Sequence, residues 1–143
     1  MLIVSKCLTG ECCRYDGASR PDPEIAALVK KGLAVSVCPE QLGLLPTPRV
    51  PAELTGSGED VLRGKAGAVT KDGRDVTQAF VSGAYEALRI AKEHGASRAI
   101  LKAKSPSCGR GLIYDGSFTG KLTQGNGVTA ALFLLNGVEV ETR

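Results

Sequence analysis

Three short strand-forming runs, MLIVSK (Met1–Lys6), LAVSV (Leu33–Val37) and AILKA (Ala99–Ala103), each deliver a cysteine at or just beyond the carboxyl end: Cys7, Cys38 and Cys108. Between the first two runs lies a helical signal. Asp22 precedes Pro23, which suits an N-cap followed by the first helical position. Ile25, Leu28 and Val29 then fall at i, i+3 and i+4, and Gly32 ends the pattern. Strand, helix and strand in about 38 residues is the length of a parallel crossover. A chain that begins this way is committed to parallel strands, and parallel strands open their carboxyl ends on one edge.

The alternation returns later. Thr77 opens a long helix with Phe80, Ala84, Ala87, Leu88 and Ala91 on one face, ended by His94-Gly95. The strand Ala99–Ala103 follows, then a short helix Val128–Leu135 stopped by Gly137, then a last strand, Val138–Thr142. The pattern predicts one α/β domain over residues 1–143: an open, mostly parallel, Rossmann-like sheet with helices on both faces. Pro39 to Arg74, with four prolines and six glycines, reads as a long inserted loop. Within it GAVTKDGRDVT predicts a hairpin turning at Asp72-Gly73. A second glycine-rich loop is expected from Lys104 to Gly127.

Charge and composition narrow the partners. The net charge is +3, from 18 basic and 15 acidic residues, and the basic ones are scattered rather than clustered. A small polar or anionic ligand suits this balance, and nothing in it marks a tRNA surface. Aromatic residues are 4% of the chain and Trp is absent, so single-stranded nucleic acid would find few stacking platforms. The N-terminal run MLIV is too short for a signal-peptide core, and Val128–Leu135 is far short of the ~20 residues that span a bilayer. The expectation is a cytoplasmic protein whose five cysteines stay reduced.

Ligands of open parallel sheets bind outside the carboxyl ends of the strands, where Cys7, Cys38 and Cys108 all lie. Their separations of 31 and 70 residues mean that only the fold can bring them together. Three thiolates without a fourth protein ligand leave a coordination position open, as catalytic metal centres do. The soft all-sulfur set suits either zinc or an iron–sulfur cluster. The competing reading is burial, since free cysteine packs as a small hydrophobe. Cys12 and Cys13 are neighbours that an extended backbone points apart; Cys12 reads as a bystander and Cys13 stays open.

Taken together, SKCLTGECCRYDG, CPEQLGLLPTPR and KSPSCG resemble the signature motifs of the TudS-type 2-thiouracil desulfurase family. The similarity continues through GAVTKDGRDVTQAF and GNGVTAALFLLNGVEV and so covers nearly the whole chain. The resemblance implies a 4Fe–4S cluster held by Cys7, Cys38 and Cys108, and non-redox removal of sulfur from a small thiolated base or nucleoside to leave uracil and sulfide. It also maps a catalytic glutamate onto Glu40 and a catalytic serine onto Ser105. Two departures are visible: the family loop commonly reads GGLPTPR where this chain has Gly43-Leu44-Leu45, and the residue before the first cysteine, often small, is Lys6.

For each residue a plainer role stands beside the chemical one. Glu40 is either a general base two residues past a ligand or a solvated loop residue. Ser105 either bonds the substrate ring or water, or caps a turn. Arg14, Tyr15 and Asp16 either contact a uracil edge, with Asp16 as a second candidate base, or form an Asp-Gly turn. Gly125-Asn126-Gly127 is either an anion seat at a helix N-terminus or a cap. His94 complements a helix end and takes no chemistry. A zinc hydrolase using the same thiolates and a non-catalytic sulfur carrier are the rival functions. The histidine and Cys-x-x-Cys pattern of zinc base deaminases is absent.

Overall fold

The structure is a computed structural model that describes residues 1–143. In chain order its first half runs β1 (Leu2–Ser5), α1 (Pro23–Lys30), β2 (Ala34–Val37), α2 (Pro39–Leu42), β3 (Ala52–Leu54), α3 (Gly58–Leu62) and β4 (Ala68–Thr70). The second half runs α4 (Thr77–Glu93), β5 (Arg98–Leu101), β6 (Leu112–Tyr114), β7 (Leu122–Gln124), α5 (Val128–Leu135) and β8 (Glu139–Thr142). The central sheet has the order β2-β1-β5-β8, and every pairing in it is parallel. In register, Ile3 stands between Val35 and Ala99.

Period-two alternation gives the sheet two buried faces. Ile3, Val37, Ala99, Leu101 and Val140 join one large core with Phe80, Ala84, Ala87 and Leu88 of α4 and Val128, Leu132 and Phe133 of α5. Val4, Ala34 and Ile100 face the other way, onto Ile25 of α1, Leu8, Cys7, Cys13 and Cys38. Each fully buried large aliphatic or aromatic side chain contributes roughly 1.5–3 kcal/mol. Helices on both faces of a parallel sheet are therefore present as the alternation predicts. The α1 entry also matches: the Asp22 carboxylate accepts from the Glu24 amide at 3.1 Å and the Ile25 amide at 3.4 Å.

The inserted loop is more ordered than its prolines imply. It holds α2, β3, α3 and β4. α3 is entered by a capping box in which Ser57 Oγ accepts from the Asp60 amide at 3.1 Å. The turn at Asp72-Gly73 forms, with the Gly73 amide donating to the Thr70 carbonyl at 2.9 Å. Its returning limb, however, pairs only through the single bridge between Val69 and Asp75. Asp75 Oδ1 accepts from the Thr77 amide at 2.9 Å and so turns the chain into α4 at once. β4 instead takes β3 as its antiparallel partner, Ala52 opposite Thr70 and Leu54 opposite Ala68. The loop after β5 likewise contains an antiparallel pair, β6 with β7.

α2 is clamped from behind. A Cβ on Gly83 of α4 would stand 2.0 Å from the Pro39 carbonyl oxygen, and one on Gly43 would stand 2.1 Å from that of Ala79. Backbone meets backbone here, so no side chain can yield. Gly83→Ala is expected to destabilise the fold by about 1–3 kcal/mol, the usual cost of overpacking. Calorimetry will read it as a lower melting temperature, and an unchanged one would refute this close approach.

Candidate active site

Because β2, β1 and β5 are neighbours, the residues that leave their carboxyl ends emerge side by side. Cys7 sits in the 3-10 turn Lys6–Thr9 directly after β1, and Cys38 is the N-cap residue between β2 and α2. Cys108 lies in the loop after β5. All three are buried, as is Cys13, whereas Cys12 is exposed, and all five are free thiols. The fold thus brings together the three strand-end cysteines and adds Cys13, whose carbonyl accepts from Cys38 Sγ at 3.8 Å. Cys12 points away, as its place beside Cys13 predicts.

The Cys108 loop is fixed by hydroxyls and by α5. Ser105 Oγ accepts from the amides of Ser107 and Cys108 at 3.1 and 3.0 Å, the capping role open to a serine beside proline. The first amides of α5 and the one before it are all taken. Gly127 donates to the Gly109 carbonyl at 2.7 Å, Val128 to Pro106 at 3.0 Å and Thr129 to Ser107 at 2.8 Å. The buried hydroxyls of Ser107 and Thr129 lie 2.7 Å apart. A Cβ on Gly127 would meet the Ser107 carbonyl at 2.5 Å, so the Gly-Asn-Gly stretch buys a close approach of helix to loop. The Gly125 and Gly127 amides are spent on the carbonyls of Gly111 and Gly109 and form no anion seat.

The buried thiols of Cys13, Cys38 and Cys108 hold their protons. Burial, reinforced by the nearby Glu40 charge, pushes Cys108 up to about 12 against hydrogen bonds from Ser5 and Ser107. Cys38 is driven up by its hydrogen bond with Cys13 and then by burial. For Cys13 a hydrogen bond with Cys38 lowers the value, but one with Cys7, burial and the neighbouring charges outweigh it, raising the thiol to about 11. A positive centre among them reverses this by stabilising thiolate. The His, Cys, Asp and Glu side chains nowhere form a group of three near enough to share one ion.

A cavity of about 770 Å³ opens over Cys7, Cys13, Cys38 and Cys108, and both Glu40 and Ser105 line it. The Glu40 carboxylate is held by Arg49, whose Nη2 donates to Oε2 at 2.9 Å. The same nitrogen reaches the Cys13 carbonyl at 3.1 Å, while Nη1 donates to Pro46 O and Thr47 Oγ1, both at 3.2 Å. The Arg49 amide donates to the Tyr15 carbonyl at 2.6 Å. Arg49 therefore ties together the loop after Cys7, α2 and the PTPR segment. Eight lysines and arginines line the cavity against two glutamates, Glu40 and Glu53. Arg14 is among them, and its Nη1 is buried with no hydrogen-bond acceptor. Asp16 is not on the wall. It accepts from the Ala18 amide at 2.9 Å in an exposed turn, which holds its carboxyl below the usual range.

The family model for 2-thiouracil desulfurase matches residues 2–143. The chain belongs to the 2-thiouracil desulfurase family. It is 51% identical over 141 residues to the uncharacterized protein YbbK of Bacillus subtilis (strain 168), an alignment covering 98% of this chain and 93% of that protein. It also matches the solved structure of a 4Fe–4S-dependent thiouracil desulfidase, TudS. That match has a TM-score of 0.87 and 43% identity and covers 99% of this chain and 89% of the other.

Among the desulfurase residues, sequence reasoning overlooked Arg49, which looked like one more scattered cation; its place at the end of the PTPR motif was the only signal. No helix of the chain is long and apolar enough to cross a membrane. The two departures from the family pattern also find their places. Lys6 lines the cavity and pairs with Glu11 at 3.9 Å. Leu44, where the family pattern has a second glycine, sits at φ 69° with its side chain 90% exposed. A left-handed backbone costs an L residue about 1–2 kcal/mol, and this side chain gains no burial in return. Leu44→Gly is expected to stabilise the protein by about 0.5–1 kcal/mol, since the greater chain entropy of glycine offsets part of the relief. Chemical denaturation measures this, and a loss of stability would contradict it.

Proposed function

We propose that this protein removes sulfur from a thiolated pyrimidine of the 2-thiouracil type, without net oxidation or reduction, giving uracil and sulfide. The carrying observation is that three buried thiols at the ends of adjacent parallel strands share one cavity with an arginine-held carboxylate. The donor set fits a 4Fe–4S cluster: the ligands are all sulfur, and they are too spread for one ion but suited to a group whose separate irons each take one. Cys7, Cys38 and Cys108 would hold it. Bound there, the cluster would supply a soft Lewis acid for a thiocarbonyl sulfur.

The remaining work falls to the chain. Glu40 is assigned the proton of the water that replaces sulfur at that carbon, and Arg49 keeps its carboxylate in place. Ser105 Oγ already accepts two amides, which leaves its hydroxyl hydrogen free to donate to the ring or to the water. Asp16 lies off the cavity wall and is the weaker candidate base. Arg14 Nη1, which makes no hydrogen bond and meets only Asp16 at 3.6 Å, and the excess of cations favour a substrate that carries an anionic group. A thiolated nucleoside monophosphate is therefore expected to show a lower KM than free 2-thiouracil. Steady-state assays at rising salt test this, and a lower KM for the free base would reverse the preference.

Cys7→Ala, Cys38→Ala and Cys108→Ala should each lose most iron, sulfide and turnover after anaerobic reconstitution, whereas Cys12→Ala keeps them. Full cluster and turnover in any of the first three would sink the ligand assignment. Glu40→Gln should keep wild-type iron and sulfide while kcat falls about 10²-fold or more, the scale of a lost general base. Normal turnover in that variant would pass the role to another group.

A further inference from the structure

The chain has six aromatic rings apart from histidine, three Tyr and three Phe, and four of them line the one cavity: Tyr15, Phe80, Tyr114 and Phe118. They are not equivalent. Phe80 is 2% exposed and belongs to the core beneath α4. Tyr15 lies on the Arg14 guanidinium, 5.6 Å from it, and Tyr114 is fixed by its place in β6. Phe118 alone is presented by a loop built around it. The loop joins β6 to β7 and is closed by the Asp115 amide, which donates to the Lys121 carbonyl at 3.0 Å. Phe118 has φ 57°, a left-handed backbone that a bulky residue keeps only where its surroundings hold it. The holding group is Glu53 in the middle of β3, whose Oε1 accepts from the Gly116 amide at 2.9 Å and the Phe118 amide at 3.2 Å. Gly116 lies so close to β3 that a Cβ there would stand 2.8 Å from the Leu54 carbonyl.

We propose that Phe118 is the face on which the pyrimidine ring stacks, and that Glu53 is the positioning residue that keeps it there. This rests on the desulfurase reading above. A carboxylate spent on two loop amides and a strained backbone have one shared result, a phenyl ring fixed at the cavity wall. A planar base finds in it a π surface that needs no matching hydrogen bonds. Stacking serves ground state and transition state alike, so its loss belongs in KM rather than kcat.

The test uses reconstituted holoenzyme with 2-thiouracil as substrate and uracil as an unreactive probe. Phe118→Ala should raise KM for 2-thiouracil and Kd for uracil roughly tenfold or more, with kcat within about twofold and iron content unchanged. Phe118→Tyr should restore both. Glu53→Leu should raise KM as Phe118→Ala does, and Glu53→Gln, which keeps an acceptor oxygen, should raise it less. Wild-type protein has no Trp, so Phe118→Trp introduces a sole indole whose emission should change saturably with uracil. Wild-type KM and Kd in Phe118→Ala, or indole emission indifferent to uracil, overturns the proposal while leaving desulfuration intact. Uracil binding that Phe118→Ala weakens supports the platform even where no sulfur is released, and then the desulfurase reading alone falls.

Discussion

Parallel pairing of β1 between β2 and β5 is the constraint on which the rest of the molecule depends. Because the three strands run the same way, the segments that leave them meet on one edge, and thiols far apart in sequence become neighbours. α1 lies off the cavity and α4 reaches it through Phe80 alone, yet each is the crossover that makes parallel pairing possible. The two buried faces of the sheet then divide the labour. One anchors α4 and α5 behind the site, and the other packs Cys7, Cys13 and Cys38 against Ile25 and Val4.

Within that frame a single guanidinium does much of the local organisation. Arg49 is almost fully buried, and its donors reach segments that have no continuous secondary structure between them. A buried ion pair is a weak source of net stability, because desolvation offsets its attraction. Its value here is geometric: the Glu40 carboxylate has one place to be, above the thiols rather than out in solvent. The cationic lining adds an electrostatic bias toward negatively charged ligands, focused by low-dielectric walls.

The strands, helices and caps of the sheet were legible because each announces itself locally. Asp22-Pro23 caps as read, and α4 carries its apolar stripe. The elements that escaped are those stabilised by distant partners. The sequence predicts β4 as one limb of a hairpin turning at Asp72-Gly73, but it takes β3 as its partner, and β6 and β7 bury little besides Ile113, so no periodic pattern marks those two. The candidate site divides the same way. Cys7, Cys38, Glu40 and Ser105 could be located from strand ends and motifs, whereas Arg49 and Phe118 acquire meaning only from what the fold sets beside them. Gly125-Asn126-Gly127 looked like a place for an anion because sequence cannot reveal that the Cys108 loop already occupies those amides.

The raised thiols have a consequence for the protein before any metal arrives. It is the thiolate that attacks oxidants and disulfides, and the thiol is inert by comparison. Cys13, Cys38 and Cys108 stay protonated well above neutral pH, so a newly folded chain carries them in their unreactive form despite their crowding. A cluster held by Cys38 and Cys108 would have to displace their protons, so its assembly would release acid. Burial and the hydrogen bonds among these three thiols thus shield them from premature cross-linking.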